Sequence, residues 1–227
     1  MKRFLISFGF MVWAALGMQA QNEFEGLIHY AISYSQDIPG AEGMLPSATE
    51  NIVSKQRALT RMIGGMQAAM IGDILYDKGT DSIYIINHGS KKVNTVAASE
   101  MEDDSAAPKN KVTKGKEKAT IMGYKCRAYE VEIKEGDQVM RATYWVTEDF
   151  KPATQGKSGA TNISGLDLPG FPMKVETELP IPGMDGLLMI MTVTKLQPLA
   201  ELEKNVLSIP ASYKRESGMP SLMRMGE

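Results

Sequence analysis

The sequence has few side chains suited to acid–base, metal or nucleophilic chemistry, with one cysteine and two histidines in 227 residues. His29 and His88 are far apart in the sequence, and neither stands beside a second ligand at metal-binding spacing. His29 alternates with Ile28 and Tyr30 in a predicted strand. We therefore expect a structural or surface role for this histidine rather than metal ligation.

Cys126 is the only candidate for a cysteine nucleophile. Its cationic neighbours Lys125 and Arg127 alternate with it along a predicted strand, so they point to the opposite face and do little to lower the pKa of its thiol. We predict that Cys126 is a small buried hydrophobic residue. A single cysteine also excludes an internal disulfide and a cysteine-based zinc cluster.

Other catalytic and cofactor motifs are incomplete. The segment from Asp77 to Asp81 lacks the third oxygen ligand and the closing Glu of a calcium loop, which favours a hairpin turn. Gly156 to Gly159 lacks the strand-to-helix context of a hydrolase nucleophile elbow, and no glycine-rich loop is placed to cradle phosphate. Paired carboxylates for glycoside chemistry stay open, because their spatial pairing is not visible in a sequence. We predict no metal, no cofactor and no enzymatic activity.

Methionine is the unusual component, with 17 residues in the chain. Its flexible, polarizable side chain fills irregular cores and also suits surfaces that bind varied apolar partners, so both interpretations stay open. Met62, Met66 and Met70 recur at helical spacing, but Gly64 and Gly65 disfavour a helix. We interpret this segment as a glycine-broken connection, with a short helix as the alternative. The candidates for lining or covering an apolar ligand site are Met62, Met66, Met70, Trp145, Met189 and Met191.

The first twenty residues predict a cleaved signal peptide. Lys2 and Arg3 precede an apolar run that is shorter than the ~20 residues of a membrane-spanning helix, and small residues follow it. We place the cleavage between Ala20 and Gln21, with no lipid-attachment cysteine after it. Removal of these residues changes the net charge from −2 to −4, because two basic and no acidic residues leave. The protein is expected to be periplasmic or secreted, with no nucleic acid partner and no further membrane span.

Residues 21–214 predict one β-rich domain, followed by a tail at 215–227. Alternation of large and small or polar residues predicts strands, and the segments between them carry Gly, Pro and polar turn residues. The predicted strands cover 24–34, 51–62, 74–77, 82–87, 91–96, 119–133, 139–147, 173–179 and 187–196. A charged loop is predicted at 97–118. The fold class is therefore mainly β, a curved antiparallel sheet or unclosed β-barrel with few short helices.

Four short motifs carry a family resemblance: Phe24-x-Gly26-x-Ile28-x-Tyr30, Ile121-Met122-Gly123-Tyr124-Lys125-Cys126, Tyr144-Trp145-Val146-Thr147 and Ile209-Pro210-Ala211-x-Tyr213. Together they resemble an exported bacterial family known as a domain of unknown function. The resemblance implies the lipoprotein-localisation fold, an unclosed antiparallel β-barrel with helices over its mouth. It implies no catalytic residue.

These observations lead to two hypotheses. The first is an exported, non-enzymatic protein that holds a lipid, an acyl chain or a lipidated protein against an apolar concave face. The alternative is a structural or protein-interaction module of the cell envelope, acting through a sheet edge or the charged loop. A hydrolase would need convergent carboxylates or a cysteine–histidine pair.

Overall fold

A computed structural model of the protein describes residues 22–41, 43–100, 110–135, 138–153, 166 and 168–220. The predicted signal peptide with its cleavage between Ala20 and Gln21, residues 101–109 of the predicted charged loop and residues 221–227 of the predicted tail lie outside this part. Within the described ranges, no helix is long and apolar enough to cross a membrane.

Strands dominate the described part of the chain, and helices are short. The α-helix α1 (Gly65–Ile71) lies between the fourth and fifth strands, and 3-10 turns occupy Ala98–Glu100 and Leu199–Glu201. The strands are β1 (Asn22–Phe24), β2 (Gly26–Tyr34), β3 (Ala48–Val53), β4 (Arg57–Ile63), β5 (Asp73–Asp77), β6 (Ser82–Asn87), β7 (Lys92–Ala97), β8 (Lys111–Ile121), β9 (Tyr124–Glu135), β10 (Gln138–Thr147), β11 (Phe150–Pro152), β12 (Phe171–Glu178), β13 (Leu188–Pro198) and β14 (Lys214–Ser217).

Twelve strands form one sheet in the order β14-β7-β6-β5-β4-β3-β2-β13-β12-β10-β9-β8. Neighbouring strands are antiparallel, except that β14 pairs in parallel with β7. The short strands β1 and β11 form a separate parallel pair. Because β14 and β8 are two free ends of the strand order, the sheet does not close. The predicted fold class is confirmed: mainly β, one curved, unclosed antiparallel sheet with very few helices.

Side chains alternate between two faces of the sheet, and partners in an antiparallel ladder share a face. We call the face of Ile28 and Tyr30 the inner face and the face of Leu27 and Leu75 the outer face. The main core lies on the inner face of β2, β13, β12, β10 and β9, where Tyr30 and Met173 are fully buried. The Tyr30 hydroxyl donates a hydrogen bond of 2.8 Å to the carbonyl of Pro172.

The outer face of β2 to β7 is covered by the chain between β13 and β14. Residues 199–213 lie over Leu27, Leu75 and Val93, and contribute a second apolar cluster with Leu199, Leu202, Val206, Leu207, Ile209 and Tyr213. Each fully buried leucine or valine side chain, such as Leu75 or Val93, stabilises the fold by about 1.5–3 kcal/mol. Residues 199–213 therefore cover the outer face of these strands without an α-helix.

The prediction of one continuous strand at 51–62 is wrong, because a turn separates β3 from β4. The Ser54 hydroxyl oxygen accepts the backbone N–H of Arg57 at 3.0 Å and donates to the Arg57 carbonyl at 3.1 Å. Serine side chains offer the backbone such local partners in place of a strand ladder. Arg57 is half-exposed, and its guanidinium pairs with Asp77 at 2.7 Å.

The predicted strand at 119–133 is also interrupted, by a two-residue turn at Met122 and Gly123. Both residues have positive φ, 49° and 84°. Such a turn matches the twist of the flanking strands, which is why it joins two hairpin strands so tightly. Glycine adopts this backbone conformation at little cost, whereas Met122 is a non-glycine residue in the left-handed region.

Residues 62–72 follow the alternative interpretation, because α1 is a helix. Gly64 precedes α1 and Gly65 is its first residue, so neither weakens the interior of the helix. Both have positive φ, 75° and 70°. A Cβ atom on Gly65 would lie 2.6 Å from the carbonyl oxygen of Leu45, so the close approach of the two chain segments requires glycine there.

Two predicted boundaries also change. The charged loop is shorter than 97–118, because β8 begins at Lys111 and alternates exposed lysines with half-buried Val112 and Ile121. The predicted tail contributes β14 up to Ser217, although it lacks an apolar pattern. Edge pairing depends on backbone hydrogen bonds, which a composition pattern does not reveal.

Candidate functional site

One end of the sheet is lined by apolar residues that are only partly buried. The strands β2, β4, β6, β9 and β12 end there, and β3, β5, β7, β10 and β13 begin there. We call this the open end. At the other end, the inner face is packed by Phe24 of β1, Leu166, Leu168 and Phe171.

Burial on the inner face decreases toward the open end on each of five adjacent strands. On β2, Ile28 and Tyr30 are 1% and 0% exposed, whereas Ile32 and Tyr34 are partly exposed. On each of the next four strands, β13, β12, β10 and β9, two buried inner-face residues are likewise followed by a partly exposed one toward the open end. In that order of strands they are Val193 and Met191 before Met189, Met173 and Val175 before Thr177, Tyr144 and Ala142 before Met140, and Tyr129 and Val131 before Ile133. The deep part of the face is thus filled by the protein's own side chains, and the apolar surface becomes accessible at one end.

Exposed methionines lie beside this opening. Met44, Met66 and Met70 are 48%, 54% and 49% exposed, and all three belong to connections at the open end. The connection 179–187 adds half-buried Ile181 and Met184. We call Met44, Met66, Met70 and the half-buried Met62 and Met189 the methionine rim. Partial burial also raises the pKa of the nearby Tyr34 hydroxyl, because the anion loses hydration there.

The six residues predicted to line an apolar site do not form one cluster. Met62 of β4 and Met189 of β13 share the inner face near the open end, and Met191 lies on the same face but is buried in the core. Met66 and Met70 lie on α1 at the rim. Trp145 points to the outer face, because it follows the inner-face residue Tyr144 along β10 and pairs with Lys174 on β12. Sequence reasoning missed Met44 and Met140, for which methionine content was the only signal.

Trp145 belongs to a polar surface on the outer face of β9, β10 and β12. Its Nε1 donates to a Glu176 carboxyl oxygen at 3.2 Å, and the Lys174 ammonium lies 5.9 Å from its ring centroid. Burial alone raises the pKa of the Glu176 carboxyl, but hydrogen bonds from Lys174 and Trp145 outweigh it and lower the pKa. A shallow groove of about 350 Å³ lies beside it, lined largely by charged residues including Glu130, Glu132, Arg141 and Glu178.

Both histidines belong to a chain of polar contacts across the outer face. His29 Nδ1 lies 3.5 Å from Glu50, whose other oxygen lies 3.7 Å from Arg61. Arg61 donates to both carboxyl oxygens of buried Asp73, with a shortest distance of 2.7 Å, and this interaction raises the pKa of the guanidinium. His88 completes the chain, with its ring nitrogens 3.0 Å from Asp73 and 2.9 Å from the Tyr213 hydroxyl.

This chain of contacts fastens the C-terminal segment to the sheet. Tyr213 is the last residue before β14, and Arg57 reaches the same segment through a hydrogen bond of 3.1 Å to the Leu207 carbonyl. The arrangement provides a structural reason for histidines at positions 29 and 88. Among the described residues, no group of three or more His, Cys, Asp or Glu side chains is placed to hold a metal ion.

Cys126 is 3% exposed and belongs to the same buried apolar cluster as Tyr129 and Val131. Burial raises the pKa of its thiol to about 11. A thiol with this pKa is almost entirely protonated at neutral pH, whereas a nucleophilic cysteine needs a depressed pKa. Its sulfur donates a weak hydrogen bond of 3.5 Å to the Tyr124 carbonyl. This geometry agrees with the structural role predicted for it.

Comparison with known proteins identifies a family and a few distant structural neighbours. The family model described as Domain of unknown function (DUF4412) matches residues 24–213, which are nearly all of the predicted mature domain. No curated protein matches the sequence.

Three solved structures are similar to this chain at low sequence identity. Two structures of PNGF-II align with 87% and 85% of this chain at 12% and 11% identity, with TM-scores of 0.47 and 0.44, and this chain spans about a third of their length, 31% and 32%. The Mycobacterium tuberculosis lipoprotein LppX aligns with 76% of this chain and 86% of its own, at 10% identity and a TM-score of 0.38. Since all three TM-scores are below 0.5, function has to be inferred from this chain's own residues.

Proposed function

This chain belongs to the DUF4412 family, which carries no assigned function, and from that premise we propose that it is an exported, non-enzymatic binding protein. Its ligand is an acyl chain, of a lipid or of a lipidated protein. The ligand contacts the methionine rim at the open end of the sheet, rather than the deep inner face, which the protein fills with its own side chains.

The observation that carries this proposal is the loss of burial toward the open end on five adjacent strands. An isolated exposed apolar side chain is ordinary, but a contiguous apolar surface indicates an interaction site. Here Ile32, Tyr34 and Met189 continue the apolar surface of a filled core outward, and Met66 and Met70 are exposed on the connection from β4 to β5 at the same end of the sheet. Flexible methionine side chains adapt to a chain of variable length and unsaturation.

Two further features support binding in the periplasm or after secretion rather than catalysis. The basic, apolar and small-residue segments within residues 1–20 are typical of a signal peptide. Cys126, which is the strongest nucleophile in the sequence, is buried with a raised pKa. The histidines are engaged by carboxylates and by Tyr213 in contacts that hold the C-terminal segment.

The test is displacement of an apolar fluorescent dye from delipidated protein by a fatty acid and by phospholipid, with native mass spectrometry of the complexes. The double variant Met66→Gln with Met70→Gln removes apolar rim surface but keeps strong helix-forming residues in α1. We expect weaker dye and lipid binding in this variant. The matched control is Met122→Gln, which changes a 46% exposed methionine at the opposite end of the sheet. Equal binding by all three proteins, or no binding by the unchanged protein, contradicts the proposal.

A second candidate function, a protein-interaction module of the envelope, is favoured by β8. This strand has 11 residues and forms one edge of the twelve-stranded sheet. A long edge strand is a template for pairing with another chain, although exposed lysines such as Lys114 and Lys116 weaken that tendency. A pull-down from envelope extracts with the unchanged protein and with a Lys116→Pro variant, which places proline in the irregular part of this edge strand, separates the two functions. Loss of a partner together with unchanged lipid binding supports a separate interaction role.

A further inference from the structure

Two thioether side chains lie on one face of α1. Met66 and Met70 are four residues apart, and side chains at this spacing are neighbours on a helix, with about 5–6 Å between their Cβ atoms. Both are about half-exposed, at 54% and 49%. Because the methionine side chain is unbranched and flexible, the two sulfur atoms can approach a common point.

A third thioether belongs to the segment that crosses the start of α1. The backbone N–H of Met66 donates a hydrogen bond of 3.1 Å to the carbonyl of Gly43. The carbonyl oxygen of Met44 lies 2.6 Å from the position that a Cβ atom on Gly65 would occupy. Met44 is therefore held against the first turn of α1, and its side chain is 48% exposed. Three accessible sulfur ligands thus come from two chain segments in direct contact.

We propose that Met44, Met66 and Met70 form a binding site for a soft monovalent cation, Cu(I). Thioether sulfur is a soft ligand that selects Cu(I), whereas Ca²⁺ and Mg²⁺ require oxygen ligands. Neutral thioethers also carry no proton that must leave on binding, so the site operates over a wide pH range. The fixed crossing of residues 43–45 over Gly65 brings the third ligand near the helical pair.

The copper site and the acyl-binding surface share residues but depend on different properties. Acyl binding depends on the apolar area of the rim, and Cu(I) binding depends on the sulfur atoms. Leucine has a similar volume to methionine and is a good helix former, but it has no sulfur. The double variant Met66→Leu with Met70→Leu therefore removes two sulfur ligands without adding a polar group, and the copper site stands or fails independently of the proposed function.

The test is an anaerobic titration of the purified protein with Cu(I) in the presence of a chromogenic Cu(I) chelator. We expect the unchanged protein to withdraw one Cu(I) per chain from the chelator. The Met66→Leu and Met70→Leu double variant loses this binding, and circular dichroism checks that it stays folded. The matched control, Met122→Leu, alters a similarly exposed methionine at the opposite end of the sheet and binds Cu(I) as the unchanged protein does.

Nuclear magnetic resonance of ¹³C-methyl-labelled methionine supplies an independent readout. Addition of one equivalent of Cu(I) is expected to shift the methyl signals of Met44, Met66 and Met70 and to leave that of Met122 in place. The proposal is overturned if the chelator keeps all the Cu(I), if the leucine double variant binds as tightly as the unchanged protein, or if Met122→Leu weakens binding equally.

Discussion

Tyr30 and Tyr34 project from the same face of β2, yet Tyr30 is fully buried and Tyr34 is partly exposed. Tyr30 pairs with Val193, which is also buried, and Tyr34 pairs with Met189, which is not. A short stretch of one strand therefore separates a filled core from an accessible apolar surface. That boundary marks the place at which we propose that an apolar ligand contacts the protein.

The two sides of this boundary should differ in their contribution to stability. Met173 is fully buried, so Met173→Ala is expected to lower the free energy of unfolding by about 2–5 kcal/mol. Met189→Ala should cost clearly less, because Met189 already contacts solvent and leaves a smaller cavity. Urea denaturation measures both values. Equal losses for the two variants contradict the placement of Met189 at the opening.

Gly65 is expected to be essential for the packing of residues 43–45 against α1. Gly65→Ala places a Cβ atom against the Leu45 backbone, which should destabilise the protein by about 1–3 kcal/mol beyond the backbone strain. Gly43→Ala is the control, because Gly43 has nearly the same positive φ, 71°, and a Cβ atom there would have none of the described atoms within 4 Å. Thermal denaturation of both variants compares them. If Gly43→Ala lowers the stability as much as Gly65→Ala does, backbone strain alone explains the effect.

Asp73 is expected to be the main anchor of the outer-face contacts. Asp73→Asn removes the charge that faces Arg61 and His88, and should cost about 1.5–3 kcal/mol, as for hydrogen bonds to charged groups. Hydrogen exchange in residues 199–213 should increase at the same time, because Tyr213 depends on His88. Lys111→Gln at the exposed pair with Glu132 is the control and should change stability little. If hydrogen exchange in residues 199–213 is unchanged in Asp73→Asn, Asp73 does not hold this segment on the sheet.

Cys126 predicts a specific dependence of stability on alkaline pH. In the folded protein its thiol has a pKa raised to about 11 from the ordinary 9.0, so between these values the unfolded thiol ionises while the folded thiol stays protonated. Its contribution to stability is thus complete below pH 9 and decreases as the pH rises toward 11, by at most about 1.4 kcal/mol per pH unit.

The variant Cys126→Ala isolates this contribution from other titrating groups. The stability difference between the unchanged protein and the variant should shrink as the pH rises from 9 to 11, as measured by denaturation at each pH. A difference that stays constant over this range indicates that the thiol has the same pKa in both states.

Local patterns predicted the strands that have a regular alternation and a clear partner. The hairpin of β5 and β6 and the strand β2 follow from alternating large residues bounded by Gly and polar residues. The family could also be recognised, because motifs such as that around Gly123 and Cys126 are short and local in the sequence. Breaks within long alternating runs were missed at Ser54 and Met122, where a side-chain hydrogen bond and a left-handed residue form the turn.

By itself, the sequence determined that the chain is a mainly β protein with a buried cysteine and many methionines, because those features depend on residue type and local period. Only the tertiary structure decided which methionines meet and which face each one occupies. Met66 and Met44 come together because residues 43–45 pack against Gly65, and Trp145 lies on the outer face because it alternates with Tyr144 along β10. Such contacts join residues far apart in the sequence, so no local pattern records them.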